Sequence, residues 1–288
     1  MRAVWLRAFG PPSVLEAGEA PEPTNLKRDS PSLGLIKVEF ANVTFVETQV
    51  RAGRGPFPVQ LPMIPGNGVG GRLEGRRVVA SLNGRGGYAE RAVPGELFDV
   101  PDELPLDHAV ALLADGRTAT LLTDAAAIQP GERVLVLAAA GGVGTLLVQL
   151  ARRAGATVVG AASESKHDVV ERLGGAPRRY DDLPAADVVF DGVGGAAARA
   201  AFQALSPGGR ILSYGLASGA WADITPEQAA ARDVTLVKTG RPERHHTERA
   251  LTAGLKPIIG QRFELEQAAA AHAAIEARAT VGKTLLVL

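Results

Sequence analysis

The chain has 288 residues, enough to bury a sizeable core and to form two domains. Its 31 Lys and Arg residues balance 31 Asp and Glu, so nothing points to nucleic acid or another bulk polyanion as a partner. With no cysteine there are no disulfides, no thiolate catalysis and no Cys-based zinc site, and no reason to expect an oxidising compartment.

The N-terminus, MRAVWLRAFG, lacks the apolar core of a signal peptide, and a cytoplasmic protein is expected. Residues 1 to about 110 read as β-rich. Ala3-Val4-Trp5-Leu6 and Leu35 to Phe40 are strand-like, and a connection with Pro11, Pro12, Pro21 and Pro23 separates them. Pro56, Pro58, Pro62 and Pro65 punctuate a loop that leads into Gly66-Asn67-Gly68-Val69-Gly70-Gly71. The turn Leu73-Glu74-Gly75 feeds Arg77-Val78-Val79-Ala80, and Gly86 to Glu90 precede a short strand near Arg91-Ala92-Val93. Short strands with such frequent turns suggest a barrel-like domain.

Asp107 to Ala127 is helical by composition, with Gly116 as an interruption. Pro130-Gly131 then marks a turn, and Val134 to Leu137 reads as a fully buried parallel strand. Ala139-Ala140-Gly141-Gly142-Val143-Gly144 follows, after which Val143, Leu146, Leu147, Leu150 and Ala151 recur at helical spacing up to Gly155. With the next strand at Thr157, this is one βαβ unit. A pyrophosphate reaches the free N–H groups at a helix start only where no side chain intervenes. Gly141 suits that approach, and Gly144 lets the helix lie against the strand. The pattern is AxGxxG with Ala139 at the usual first glycine, and a merely glycine-rich helix start is the alternative. The uncharged run from Val134 to Ala151 has the length of a membrane span, but three glycines interrupt it and its helical half is amphipathic, so no membrane partner is expected.

The end of the second strand discriminates between cofactors. An NAD site places Asp or Glu there for the ribose 2′-hydroxyl. This chain has Ser163, with Lys166 three residues on, a hydroxyl and a cation that suit a 2′-phosphate and favour NADPH. An ordinary helix N-cap with a solvated lysine behind it fits the same residues, and Glu164 is a neighbouring carboxylate that NAD can use. Further strands are expected at 187–191, 210–214 and 234–238, and helices near 164–173, 195–204 and 226–232. This alternation predicts a parallel sheet covered on both faces. From about Arg244 the chain offers a helix, Leu265 to Ala277, and a closing strand, Lys283 to Leu288, that returns to the first domain. The expected divisions are residues 1–112, 113–244 and 245–288.

Several stretches together resemble the zinc-free quinone oxidoreductase branch of the medium-chain dehydrogenase/reductase superfamily. They are Gly53 in Arg51-Ala52-Gly53, Gly86-Gly87-Tyr88-Ala89-Glu90, and Gly131 to Val136 leading into AAAGGVG. Ser163 with Lys166, Asp191-Gly192-Val193-Gly194, Pro207-Gly208-Gly209-Arg210 and Arg278 to Lys283 continue the series in family order. The resemblance implies an α/β fold in which a β-rich, barrel-like (GroES-like) catalytic domain is split around a Rossmann domain with a doubly wound parallel sheet. It also implies that Ala140, Gly142 and Val143 lie along the pyrophosphate, and that Ser163, Lys166 and Tyr180 hold the 2′-phosphate. Thr118 and Gly215 would stand near the nicotinamide, and Arg278 would reach the adenosine phosphate. A half-buried strand residue is the plainer reading of Tyr180, as is a solvated helix end for Arg278. Family members pair through the edge strand of the cofactor domain, here Thr235 to Lys238, so a homodimer is expected.

The departures carry information too. Zinc-dependent relatives have Gly-His-Glu where this chain has Gly66-Asn67-Gly68, so no catalytic metal is expected. The family's active-site Asn and Tyr fall on Thr44 and Gln49, and the segment between Val69 and Val78 is short. Thr44, Gln49 and Arg51 are the candidate substrate-facing residues. They would orient the acceptor oxygen during hydride transfer from NADPH to a quinone or an activated α,β-unsaturated carbonyl. An NADPH-binding sensor or structural protein with little turnover is the alternative reading, favoured by the changes at Thr44 and Gln49. His245-His246 resembles a metal pair, but adjacent histidines rarely face one ion and no third ligand lies at usable spacing, so no metal site is expected. Asp181-Asp182 reads as a solvated loop.

Overall fold

Strand β1 (Arg2–Leu6) pairs antiparallel with β2 (Leu15–Glu19). β3 (Ile36–Val43) is the spine of the next sheet, and Thr44 stops it by capping α1 (Phe45–Arg51). β4 (Gly68–Leu73) and β5 (Arg76–Ser81) form a hairpin beside it, followed by β6 (Arg91–Ala92) and β7 (Glu96–Asp99). The glycine run that closes the proline loop is therefore itself a strand. Its side-chain-free stretch is a packing requirement, since a Cβ on Gly70 would run into Val110 of α2 (Leu106–Ala111). The computed structural model describes residues 1–24 and 34–288.

The chain stays helical past α2, and the interruption expected at Gly116 is a π-helical turn, Leu112–Gly116, before α3 (Arg117–Ala126). A parallel sheet follows, built from β8 (Arg133–Leu137), β9 (Thr157–Ala161), β10 (Ala176–Arg178), β11 (Ala186–Asp191), β12 (Leu205–Ser213) and β13 (Thr235–Leu236). Its helices are α4 (Gly142–Arg153), α5 (His167–Arg172), α6 (Gly195–Gln203) and α7 (Pro226–Ala230). The six strands lie in the order β10-β9-β8-β11-β12-β13, which is the Rossmann order. Two arginines in the motif stretches fasten the strand starts. Arg133 grips Asp187 at 2.6 and 3.0 Å, and Arg210 reaches Glu132 at 2.7 and 2.8 Å and the Ala126 carbonyl at 2.5 Å. The second edge strand is shorter than the sequence suggests, because after Leu236 only the Val237 N–H still donates, to the Ile211 carbonyl.

Helix α8 (Arg244–Thr252) follows, with apolar content too low to stand out in sequence. β14 (Ile259–Glu264) runs parallel to β15 (Lys283–Val287), with α9 (Ala268–Glu276) between them, and β15 pairs antiparallel with β3. The second sheet therefore runs β14-β15-β3-β4-β5-β7, with β6 on β3. β14 escapes a sequence reading because its residues alternate half-buried and exposed, with Gln261, Arg262 and Glu264 among them. The chain divides into two units, Met1–Ala114 with Leu251–Leu288, and Asp115–Ala250. Each has its own apolar core, around Ile36, Val69, Val78 and Leu286 in the first and around Leu135, Val189, Phe202 and Ile211 in the second. No helix of the described residues is long and apolar enough to cross a membrane.

One buried polar pair in the first unit has a measurable consequence. His272 of α9 is fully buried, and its Nε2 lies 2.9 Å from the Tyr88 hydroxyl. Burial, with the Arg51 charge nearby, lowers its pKa from 6.5 to about 3. The unfolded chain thus takes up a proton that the folded chain refuses, so stability is complete above 6.5 and falls as pH drops from there towards 3. Denaturation of the wild type across that window should show a slope to which this group adds about 1.4 kcal/mol per pH unit. His272→Asn should remove that component, and an unaltered slope would mean that His272 is not held neutral.

Candidate active site

In the second unit, β8 ends at Leu137 and the chain turns at Ala138, whose φ of 53° lies in the left-handed region. The Gly141 N–H donates to the Ala138 carbonyl at 2.9 Å, and α4 begins one residue later. Gly141 occupies the cap position and no side chain caps this helix, so its first N–H groups have no side-chain acceptor. A Cβ at Gly144 would collide with the Ala138 carbonyl oxygen, which fixes how closely helix and strand approach. Ala140 is buried, while Gly141, Gly142 and Val143 are half-buried at the helix start. An uncapped helix N-terminus beside the β8/β11 switch in strand order fits the diphosphate of a dinucleotide.

At the end of β9, Ser163 is exposed and precedes a 3₁₀ turn, Glu164–Lys166. It occupies the cap position, yet its hydroxyl caps nothing, unlike an ordinary N-cap serine. Lys166, half-buried, closes the same turn. The Glu164 carboxylate faces Arg179 at 3.7 Å, and Arg179 also binds Asp181 at 3.0 and 3.1 Å. Asp181 is accordingly held below the usual carboxylate range by its hydrogen bonds with Arg179. Arg179 thus brings a cation to the turn that carries Ser163 and Lys166, one that the sequence reading did not single out. Tyr180 is half-buried against the apolar core of this unit.

The ends of β11 and β12 meet around Asp191, which is fully buried. Its carboxylate accepts from the Val193 and Gly194 N–H groups at 2.9 and 2.8 Å and from the Ser213 hydroxyl at 3.0 Å. Gly215 packs against the Gly192 backbone, and its N–H donates to the Asp191 carbonyl at 3.3 Å. Burial, with Asp191 nearby, raises the Tyr214 pKa and keeps the phenol neutral. Thr118 lies half-buried in the first turn of α3, just after the π turn.

In the first unit, the Thr44 oxygen accepts from the Glu47 N–H at 3.3 Å, and Glu47 answers by accepting from the Thr44 N–H at 2.5 Å, a capping box. The cap uses an acceptor lone pair, and the Thr44 hydroxyl also hydrogen-bonds the Glu47 carboxylate. Gln49 is half-buried, with its amide nitrogen donating to the Thr48 hydroxyl at 3.1 Å and its oxygen accepting from Arg54 at 3.4 Å. Arg51 is only 1% exposed. Its guanidinium bonds the Gly10 and Thr48 carbonyls and pairs with Glu276. This corrects the expectation that Arg51 faces the substrate: the buried charge is spent on joining α1 to α9. Arg278 is exposed with its guanidinium 4.8 Å from the centre of the Phe45 ring. Asn67 donates its N–H to Glu47 at 2.7 Å and accepts the Gly84 N–H at 2.6 Å through its side chain. The sequence reading also missed an apolar cleft of about 390 Å³ at the end of α1, lined by Phe9, Val50, Gly53, Gly55 and Phe57 among others. Its visible signal was Phe9 and Phe57 beside glycine and proline, and both rings are substantially exposed.

The ordered parallel sheet and its glycine turn define a Rossmann-type α/β protein carrying a second, mainly antiparallel sheet. A family model described as zinc-binding dehydrogenase matches residues 154–286. A probable quinone oxidoreductase of Schizosaccharomyces pombe is 34% identical over 98% of this chain and 96% of its own length. A 2-haloacrylate reductase of Burkholderia sp is 31% identical over 91% of this chain and 93% of its own. The quinone oxidoreductase of Thermus thermophilus, solved also in complex with NADPH, superposes with a TM-score of 0.86 at 32% identity, each chain fully covered. The chain belongs to the quinone oxidoreductase branch of the medium-chain dehydrogenase/reductase superfamily.

Two substitutions test the geometry. Gly144→Ala should destabilise the fold by roughly 1–3 kcal/mol, because the added methyl meets a backbone oxygen that cannot swing aside. Arg51→Met should cost on the order of 3 kcal/mol by leaving Glu276 and two carbonyls without their partner. Thermal or chemical denaturation measures both, and an unchanged midpoint for either would contradict the packing described.

Proposed function

We propose that this chain is an NADPH-dependent oxidoreductase that reduces a quinone or an activated α,β-unsaturated carbonyl without a metal. The uncapped start of α4 beside the β8/β11 switch carries the reading. NADPH supplies the hydride. The N–H groups of Gly142 and Val143, with Gly141 and Ala140, would hold its diphosphate, and Gly144 keeps the helix at the right depth. Ser163, Lys166 and Tyr180 would bind the 2′-phosphate together with Arg179, whose guanidinium already neutralises Glu164. Thr118 and Gly215 would border the nicotinamide. The unit Asp115–Ala250 is thus the cofactor unit, and the unit that carries α1 is the acceptor unit.

The Thr44 hydroxyl, turned from the Glu47 carboxylate, and the second N–H of the Gln49 amide would donate to the acceptor oxygen, while the Phe9/Phe57 cleft offers apolar walls to its ring. Two observations support chemistry without zinc. The chain has no cysteine, and Asn67, where zinc-dependent relatives have histidine, is bonded into the loop through its side chain and backbone. The similarity to a 2-haloacrylate reductase favours activated alkenes as a second acceptor class. The involvement of Thr44 in a cap and of Gln49 with Thr48 and Arg54 favours the rival reading, a protein that binds NADPH with little turnover. The second sheet edge at β13 suits pairing of two copies, and we propose a homodimer, for which light scattering should give twice the chain mass.

The test is stopped-flow oxidation of NADPH and NADH with 1,4-benzoquinone, 9,10-phenanthrenequinone and a 2-enal, with and without a chelator. NADPH should be preferred and the chelator should be without effect. Lys166→Ala should lower kcat/KM for NADPH at least about tenfold, equivalent to about 1.4 kcal/mol, while leaving NADH unchanged. Thr44→Ser should retain turnover and Thr44→Val should lose it beyond the loss of the cap. Tight NADPH binding without turnover on any acceptor would establish the rival reading.

A further inference from the structure

Near the start of α8 the Glu243 carboxylate lies 3.5 Å from His245 Nδ1, and the fold brings a further donor from much earlier in the chain. Among the described residues, Asp124, on the last turn of α3, forms a group with His245 and His246 whose donor atoms all lie within 4.8 Å of one another. His246 is buried at 6% exposure, and its Nε2 is 3.8 Å from Asp124 Oδ2. The His245 ring stacks on it with centroids 3.9 Å apart and planes tilted by 34°. The sequence reading set a metal aside here because adjacent histidines rarely face one ion and no third ligand lies at usable spacing. The stacked rings and the approach of Asp124 to His246 change that geometry.

The other ring nitrogen of His246 makes the donor chemistry workable. Nδ1 lies 3.0 Å from the Glu243 N–H and 3.3 Å from the Glu243 carbonyl oxygen, so either tautomer has a backbone partner. When Nδ1 carries the proton and donates to that carbonyl, the Nε2 lone pair faces Asp124, the arrangement that a metal-bound imidazole requires. Asp124 is held in place by Arg249, whose guanidinium reaches the two carboxylate oxygens at 2.5 and 3.0 Å. Two imidazoles and one carboxylate suit borderline divalent ions, whereas Mg²⁺ and Ca²⁺ demand more oxygen ligands. Metal–donor bonds of about 2.1 Å place tetrahedral donors roughly 3.4 Å apart. Asp124 and His245 are both exposed, so rotation to that spacing requires only that Asp124 give up Arg249 and His245 give up Glu243.

We propose that Asp124, His245 and His246 form a site for a divalent transition-metal ion, zinc, cobalt or nickel in class, that ties the first turn of α8 to the last turn of α3. Water completes the coordination. Arg249 occupies the carboxylate in the absence of the ion and competes with it for Asp124. The site is separate from the proposed hydride-transfer residues and does not depend on them.

The test uses the full chain, free of any affinity tag and treated with chelator, titrated with Co²⁺ and followed by visible absorption. One Co²⁺ per chain should bind, with ligand-field bands of a site of low coordination number. His245→Ala and Asp124→Asn, both exposed and tolerable to the fold, should each weaken binding at least about tenfold. Arg249→Met should strengthen it. Zn²⁺ should raise the Tm of the wild type but not of His245→Ala. Absence of stoichiometric binding, or equal affinity in wild type, His245→Ala and Asp124→Asn, would overturn the proposal.

Discussion

The contact between Gly144 and the Ala138 carbonyl is the constraint on which the unit Asp115–Ala250 depends. No side chain fits between them, so α4 lies close on β8 and its unclaimed N–H groups emerge where the strand order reverses. The favourable field for an anion there is a property of the backbone and needs no lysine or arginine in the turn. Behind the site, Arg133 with Asp187 and Arg210 with Glu132 fasten the opposite ends of the same strands. Motif residues that look functional in sequence are thus divided between one sheet end with an uncapped helix start and another that is clamped.

The first unit depends on a different interaction. Glu47, nearly buried, gathers the Thr44 and Asn67 N–H groups onto one carboxylate and faces the buried Lys283. Burial raises its pKa despite those partners. Through it the start of α1 and the loop around Asn67 become one piece, so Thr44 and Gln49 are presented on a rigid helix. Asn67 does structurally what a loop in this position needs, two hydrogen bonds across a turn, and the region holds together through protein groups.

Much of the fold was legible because its signals are local. The burst Val134–Leu137, the glycine turn and the helical spacing of Leu146, Leu147 and Leu150 each announce their element within a few residues. β14 and α8 were not legible, since Gln261, Arg262 and Glu264 in one and Arg244, His245, His246 and Glu248 in the other leave too little apolar periodicity. β4 was hidden by its glycines, which read as a loop until Val110 is seen packing on Gly70. Among candidate site residues, Ser163 and Lys166 stood out by spacing, whereas Arg51 misled. An arginine beside a candidate pocket reads as a ligand for substrate until Glu276, 225 residues away, is found against it. Asp124 beside His246 was invisible for the same reason: no local pattern reports a contact between distant helices.

The most direct measurement is a single-turnover oxidation of NADPH by 1,4-benzoquinone, made with NADPH carrying deuterium on one or the other face of the nicotinamide C4. Hydride transfer within a fixed cofactor site requires oxidation to slow with one labelled epimer and to remain unchanged with the other. Equal rates for both epimers, or no oxidation by a chain that binds NADPH, would contradict hydride transfer by this protein.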